Sequence, residues 1–173
     1  METATAQTKT AADAKKAGTF QIIVFKQGNE EYALSIDQIK EVVITPTITR
    51  MPQTLPYIKG VANIRGNIIA ILDLEEKFNI RRSADQHTGN HYTLVVESDD
   101  FKMGVLVREV PNTLTIAAAD FDESMNIITD VTSESNYVRG IIKLQGRLII
   151  LIDIFKVINH DVMTALRKST AAA

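Results

Sequence analysis

The chain repeats itself. Tyr57 to Leu74 lies over Tyr137 to Ile154 without a gap, at a constant offset of 80 residues. Tyr57/Tyr137, Gly60/Gly140, Gly66/Gly146, Ile69/Ile149 and Asp73/Asp153 are identical, and most other pairs exchange one aliphatic or one basic residue for another. Two glycines, a tyrosine and an aspartate held in register point to duplication. The upstream flanks follow suit, Phe20–Val24 matching Tyr92–Val96 and Ala33–Ile39 matching Gly104–Val110. Each copy, Thr19 to Ile80 and Asn90 to Ile158, is of a size at which one small domain is marginal and gains by packing on its twin. The expected organisation is an N-terminal disordered arm at 1–18, a first subdomain at 19–80, a polar linker at 81–89, a second subdomain at 90–158, and a C-terminal helix and tail at 159–173.

The texture within each copy is mainly β. Short runs of Ile, Val and Leu are punctuated by Gly, Asn and Asp, as in closely spaced strands joined by tight turns. Phe20–Phe25 and Glu31–Ile36 predict a hairpin around Gln27-Gly28-Asn29. Gly66 and Gly146 each follow one residue, Arg65 or Gln145, between two apolar runs, where a two-residue hairpin needs left-handed backbone. Asp73 and Asp153 end the second run just ahead of Leu74–Phe78 and Ile154–Ile158. A carboxylate there can cap the first amides of a short helix. A final helix is expected at about Asn159–Lys168, with Val162, Met163 and Leu166 on one side.

Composition removes several function classes. Nineteen Lys and Arg against 21 Asp and Glu give a net charge of −2 in 173 residues, so no positive field draws the chain to nucleic acid or anionic lipid. An oligonucleotide-binding barrel would also need exposed aromatics along a basic groove, and aromatics make up 6%. The absence of cysteine excludes disulfides, thiolate metal sites and a cysteine nucleophile, and fits a cytoplasmic setting. His87 and His91 are separated by Thr88-Gly89-Asn90, a loop sequence, with no third ligand nearby, so no metal or other cofactor is expected. Ser83, Ser98 and Ser133 lack a glycine elbow, and His160 begins the expected terminal helix, so no nucleophile finds a base. Asp73 and Asp153 occupy the same capping position in each copy, which explains them without acid–base chemistry. An enzyme is not expected.

The run Pro52-Gln-Thr-Leu-Pro-Tyr-Ile-Lys-Gly-Val-Ala-Asn-Ile-Arg-Gly-Asn-Ile-Ile-Ala-Ile-Leu-Asp-Leu resembles the signature of the CheW family. Glu30–Val42 is similar to that family's first hairpin and following strand, and Gly140–Ile158 to its C-terminal half. The resemblance implies two intertwined SH3-like five-stranded β-barrels with short helices. It also implies a non-catalytic adaptor, cytoplasmic and recruited to membrane receptor arrays, that couples the cytoplasmic tips of chemoreceptors to the regulatory domain of the histidine kinase CheA. The same adaptor fold could serve a pilus-type or other chemosensory array. Too little chain follows the second copy for the receiver domain of the CheV variant, and too little precedes the first for the kinase region of CheA.

By resemblance, Ile39, Glu41 and Arg65 are expected to bind receptor, and Gly60 and Gly140 to affect kinase binding. Each has a plainer reading. Arg65 would be a solvated turn residue, Glu41 a solvated strand position or the partner of Arg65, and the glycines sites of close backbone approach. Val107-Arg108-Glu109-Val110-Pro111 departs from the family, which more often has an aspartate after the valine and no proline; strand pairing there is open. Exposed apolar edges allow weak self-association.

Overall fold

The computed structural model describes residues 18–80, 89–123 and 137–158. The expected arm, most of the linker, and the terminal helix with His160 lie outside the described residues, as do His87, Ser83 and Ser133. Eleven strands follow in order: β1 Thr19–Gln27, β2 Glu30–Ser35, β3 Ile39–Ile44, β4 Ile58–Ile64, β5 Asn67–Asp73, β6 Tyr92–Glu97, β7 Lys102–Val107, β8 Asn112–Ala117, β9 Phe121–Asp122, β10 Val138–Leu144 and β11 Arg147–Ile152. Helix α1, Leu74–Lys77, follows β5, and α2, 154–158, follows β11.

The turns form as their residues require. Arg65 (φ 51°) and Gly66 (φ 84°) connect β4 to β5, and Gln145 (φ 47°) and Gly146 (φ 76°) connect β10 to β11. Two successive positive φ values give the turn whose twist matches the flanking strands. Both helices begin where the sequence places them: Asp73 accepts from the Glu75 amide at 3.0 Å and Asp153 from the Phe155 amide at 3.1 Å.

The strands form two sheets, and neither coincides with a copy of the repeat. One has the order β8-β1-β2-β11-β10-β9, the other β3-β6-β7-β5-β4. The N-terminal hairpin of each copy has been exchanged. β1–β2 pairs in parallel with β11 of the second copy, and β6–β7 in parallel with β5 of the first. The copies at 19–80 and 90–158 are units of sequence whose strands are shared between the two sheets. The second sheet is a single stretch, β3 to β7, inserted between β2 and β8 of the first. The segment 81–89, expected to link two barrels, instead joins β5 to β6 within one sheet. Two short crossovers connect the sheets, the 3-10 turn Ile36–Gln38 and the segment 108–111.

Exchange also explains why the strands read as near-continuous apolar runs. On β1, Ile22 and Val24 face a core with Ala33, Ile116, Ile142, Ile149 and Leu151 inside the first sheet. Ile23 and Phe25, pointing the other way, join Leu34, Leu72, Leu94, Val105 and Ile152 in a larger cluster shared by both sheets. The second sheet wraps Ala62, Ile64, Ile69, Ile71, Val95 and Leu106. A strand buried on both faces has no polar side to alternate.

Candidate functional site

A groove of about 330 Å³ opens between the sheets, lined by Val42, Val43, Ile44 and Tyr92 from one and Ile23 and Thr113 from the other, with Val110 and Pro111 of the second crossover. Its rim is apolar and open to solvent: Ile44 is 61% exposed and Val110 62%. The strands β3 and β8 that flank it are edge strands and equivalents in the repeat. Exposed β-branched residues on an edge are what a partner would cover.

Of the residues expected to bind receptor, Glu41 and Arg65 are brought together and Ile39 is not. Arg65 Nε donates to Glu41 Oε2 at 2.6 Å. The pair spans from the β4–β5 turn to β3, strands at opposite ends of the sheet order, so it marks closure of the sheet on itself. Arg65 is 75% exposed and Glu41 19%, which leaves donors of the guanidinium facing solvent. Ile39 packs against the shared core. An irregularity between Ile39 and Glu41 breaks the register with β6, and the groove is lined three residues further on, by Val42 to Ile44.

Gly60 and Gly140 are buried and sit at matching bulges, where β4 and β10 lose register with their partners. A Cβ on Gly60 (φ 146°) would lie 2.1 Å from the Thr49 carbonyl oxygen, and one on Gly140 2.6 Å from that of Asp122. A preceding segment crosses each bulge, bridging Thr49 to Val61 or pairing Asp122 with Ile141. Neither glycine offers a side chain to a partner. Outward contact at these hairpins falls to Ile68 (66% exposed) and Leu148 (63%), which follow the two turns and are counterparts at the same offset of 80.

The polar interior was less visible in sequence. Asp73 has no exposed surface and Glu75 is 5% exposed. Arg108 Nε donates to Glu75 Oε2 at 2.8 Å, its Nη2 lies 3.6 Å from Asp73 Oδ2, and Lys59 Nζ lies 3.4 Å from the same oxygen. His91 Nε2 is 3.4 Å from Arg108 Nη1. At the equivalent place in the other sheet Gln38 Nε2 donates to Asp153 Oδ1 at 2.9 Å. The doubtful Arg108 thus supplies the counter-charge to a buried cap, and β7 pairs through Val107. A basic residue departing from the family pattern directly after the apolar run ending at Val107 was the available signal. Across β2 and β11, Arg147 makes two hydrogen bonds to Glu31, at 3.0 and 2.5 Å. The Arg147 hydrogen bonds hold the Glu31 carboxyl below its ordinary range against a smaller opposing effect of burial. Burial pushes the Tyr32 hydroxyl up. Among the described residues no cluster of three or more His, Asp or Glu is placed to hold a metal, and no helix is long and apolar enough to cross a membrane.

The CheW-like domain family matches residues 21–162. The chemotaxis protein CheW of Thermotoga maritima is 32% identical over 152 residues, 88% of this chain and 95% of that protein. That of Treponema pallidum is 28% identical over 141 residues, 79% of this chain and 81% of that one. The scaffolding protein TtCheW of Thermoanaerobacter tengcongensis superimposes with a TM-score of 0.67 at 29% identity, covering 79% of this chain and 90% of that structure. The two exchanged sheets are the paired SH3-like barrels of this fold, and the chain belongs to the CheW family.

Proposed function

We propose that the protein is a non-catalytic cytoplasmic scaffold of chemotaxis signalling, holding the cytoplasmic tips of chemoreceptors (methyl-accepting chemotaxis proteins) against the regulatory domain of CheA. One observation carries the receptor half: the open apolar groove between β3 and β8, whose lining begins at Val42, directly after the Glu41 that holds the largely exposed Arg65. Such a groove suits the apolar stripe of a helix, and a guanidinium at its side can fix orientation by hydrogen bonds. Covering Val42, Ile44 and Val110, which are 41–62% exposed, would contribute about 1 kcal/mol each before the costs of association. The kinase half rests on the two hairpin ends. Ile68 and Leu148 present matched apolar tips on separate barrels, so two partners can be held at a fixed angle. In this reading Gly60 and Gly140 act by shaping those hairpins. The same tips support weak self-association.

The test is co-sedimentation with receptor-containing membranes and the host's CheA, comparing wild type, Arg65→Ala and the buried control Ile149→Ala. Wild type is expected to raise kinase recruitment, and Arg65→Ala to lose it while remaining folded. A wild type that recruits no host kinase refutes the coupling role.

A further inference from the structure

The second sheet is joined to the first by two crossovers, and the strands that flank the groove, β3 and β8, are the ones that immediately follow them. Both crossovers are tied to the capped end of a helix. The first is tied by a neutral amide, Gln38, which donates to Asp153 and accepts from the Ile154 amide at 3.5 Å. The second is tied by charge: Arg108, its first residue, reaches the buried carboxylates of Glu75 and Asp73. Glu75 is bound from the opposite side too, its Oε1 accepting from the Gly28 amide of the β1–β2 turn at 3.3 Å. Beside it, buried Gln27 donates to the Leu106 carbonyl at 3.3 Å. Glu75 therefore holds a turn of the first sheet and the crossover leaving the second at one point. Val110 and Pro111, two and three residues beyond Arg108, form the groove wall facing Val42 and Ile44. The proline fixes its own backbone angle and restricts Val110 before it, so the wall is locally stiff and only Glu109 separates it from the anchored Arg108.

We propose that Arg108 is the positioning residue of the groove: its ion pairs to Glu75 and Asp73 set the distance of the 108–111 wall from β3, and with it the fit of a docked helix. The inference rests on the docking reading for its consequence in binding, but not for the geometry. Arg suits the position because its planar fork can engage two carboxylates at once, which the single ammonium of lysine cannot reproduce.

The chain has no cysteine, so Lys40→Cys on β3 and Glu109→Cys on the crossover give one clean pair of spin labels across the groove. Pulsed electron–electron distance measurement on the full chain is expected to give one narrow distribution. Arg108→Gln should widen it at least twofold, and Arg108→Lys by an intermediate amount, with folding verified by circular dichroism and a single thermal transition. Arg147→Gln, which removes an ion pair within the first sheet, should leave the width unchanged. Folded Arg108→Gln with an unchanged distribution overturns the proposal, and so does equal widening in Arg147→Gln, which would indicate general loosening. If Arg108→Gln does not fold, Arg108→Lys decides by the same criterion. Binding of a receptor-tip fragment, measured separately, should fall about tenfold in the widened variant. Since the distance measurement contains no receptor, a wild type that binds no fragment refutes the docking function and leaves the positioning role to stand on the distances alone.

Discussion

Replacing Gly60 by alanine tests whether the glycines of the two hairpins serve folding or contact. The added Cβ would sit 2.1 Å from the Thr49 carbonyl oxygen and 2.8 Å from its carbon. That oxygen already accepts the Val61 amide at 2.8 Å, while the Thr49 amide donates to the Val61 carbonyl at the same distance. Relief requires moving the backbone at Thr49 by about an ångström, in the manner of an overpacked core, at a cost of roughly 1–3 kcal/mol. Both bridging hydrogen bonds stretch, at about 1 kcal/mol each. A φ of 146° is a conformation that side-chain-bearing residues rarely adopt, adding roughly 1–3 kcal/mol. Gly60→Ala should therefore lose about 4–8 kcal/mol and melt roughly 10–30 °C lower. At Gly140 the nearest atoms are Phe121 Cε2 at 2.5 Å and the Asp122 oxygen at 2.6 Å. The ring can swing away and no left-handed angle is involved, so Gly140→Ala should lose about 2–3 kcal/mol. Thermal unfolding followed by circular dichroism gives both values, and CheA binding well below the transitions isolates the folded fraction. Gly60→Ala within 1 kcal/mol of wild type would refute the steric reasoning, and a fully stable variant that no longer binds kinase would make the glycine a contact.

Arg65→Ala should change stability by less than about 1 kcal/mol, because an exposed ion pair contributes little, while receptor association is lost; a large drop in melting temperature would count against the docking role. Ile68→Lys and Leu148→Lys should each weaken CheA association by about tenfold with unchanged melting, as expected where a central apolar anchor is replaced by charge, and surface-plasmon titration of each variant separates the two ends. Glu31 has a folded pKa below its ordinary value near 4.5, so its contribution is complete above that value and lost as pH falls through the folded pKa. With the pair partly exposed it amounts to about 0.5 kcal/mol, and the gap in melting temperature between wild type and Arg147→Gln should narrow progressively as the pH is taken below the ordinary carboxylate range. A gap with no pH dependence on the acid side would assign the effect to packing of the Arg147 stem.

What was legible in the sequence is local. The turns at Arg65-Gly66 and Gln145-Gly146 and the caps at Asp73 and Asp153 each depend on residues within a few positions, and each forms as read. The hairpin exchange was not legible from the repeat alone, because the copies are alike: β2 offers a similar edge to β5 and to β11, and nothing in the repeated residues favours its neighbour over its twin. The favouring contacts are long-range and polar, such as Gln38 to Asp153, Arg108 to Glu75 and Arg147 to Glu31. That the groove is lined by Val42–Ile44 while Ile39 packs inward has the same origin, since the irregularity after Ile39 belongs to pairing with β6, a strand of the other copy. The matched tips Ile68 and Leu148 could have been found earlier, as apolar residues held in register directly behind polar turns.

The exchanged topology suits a protein whose work is to hold other proteins still. If each copy had closed on itself, the two barrels would meet through one interface and turn about the single connection at 81–89. Instead the second barrel is inserted whole between β2 and β8, entering and leaving by crossovers of a few residues. Relative rotation would have to strain both crossovers and shear the shared cluster that runs from Ile23 and Phe25 to Leu72 and Ile152. A close-packed interior resists such shear. The matched hairpin tips and the groove are thus parts of one stiff frame: under the proposed function, a partner on Ile68 and another on Leu148 would take up a fixed angle to whatever lies against Val42 and Val110. Coupling by such a frame requires no conformational change in the scaffold, only that its three surfaces keep their mutual geometry.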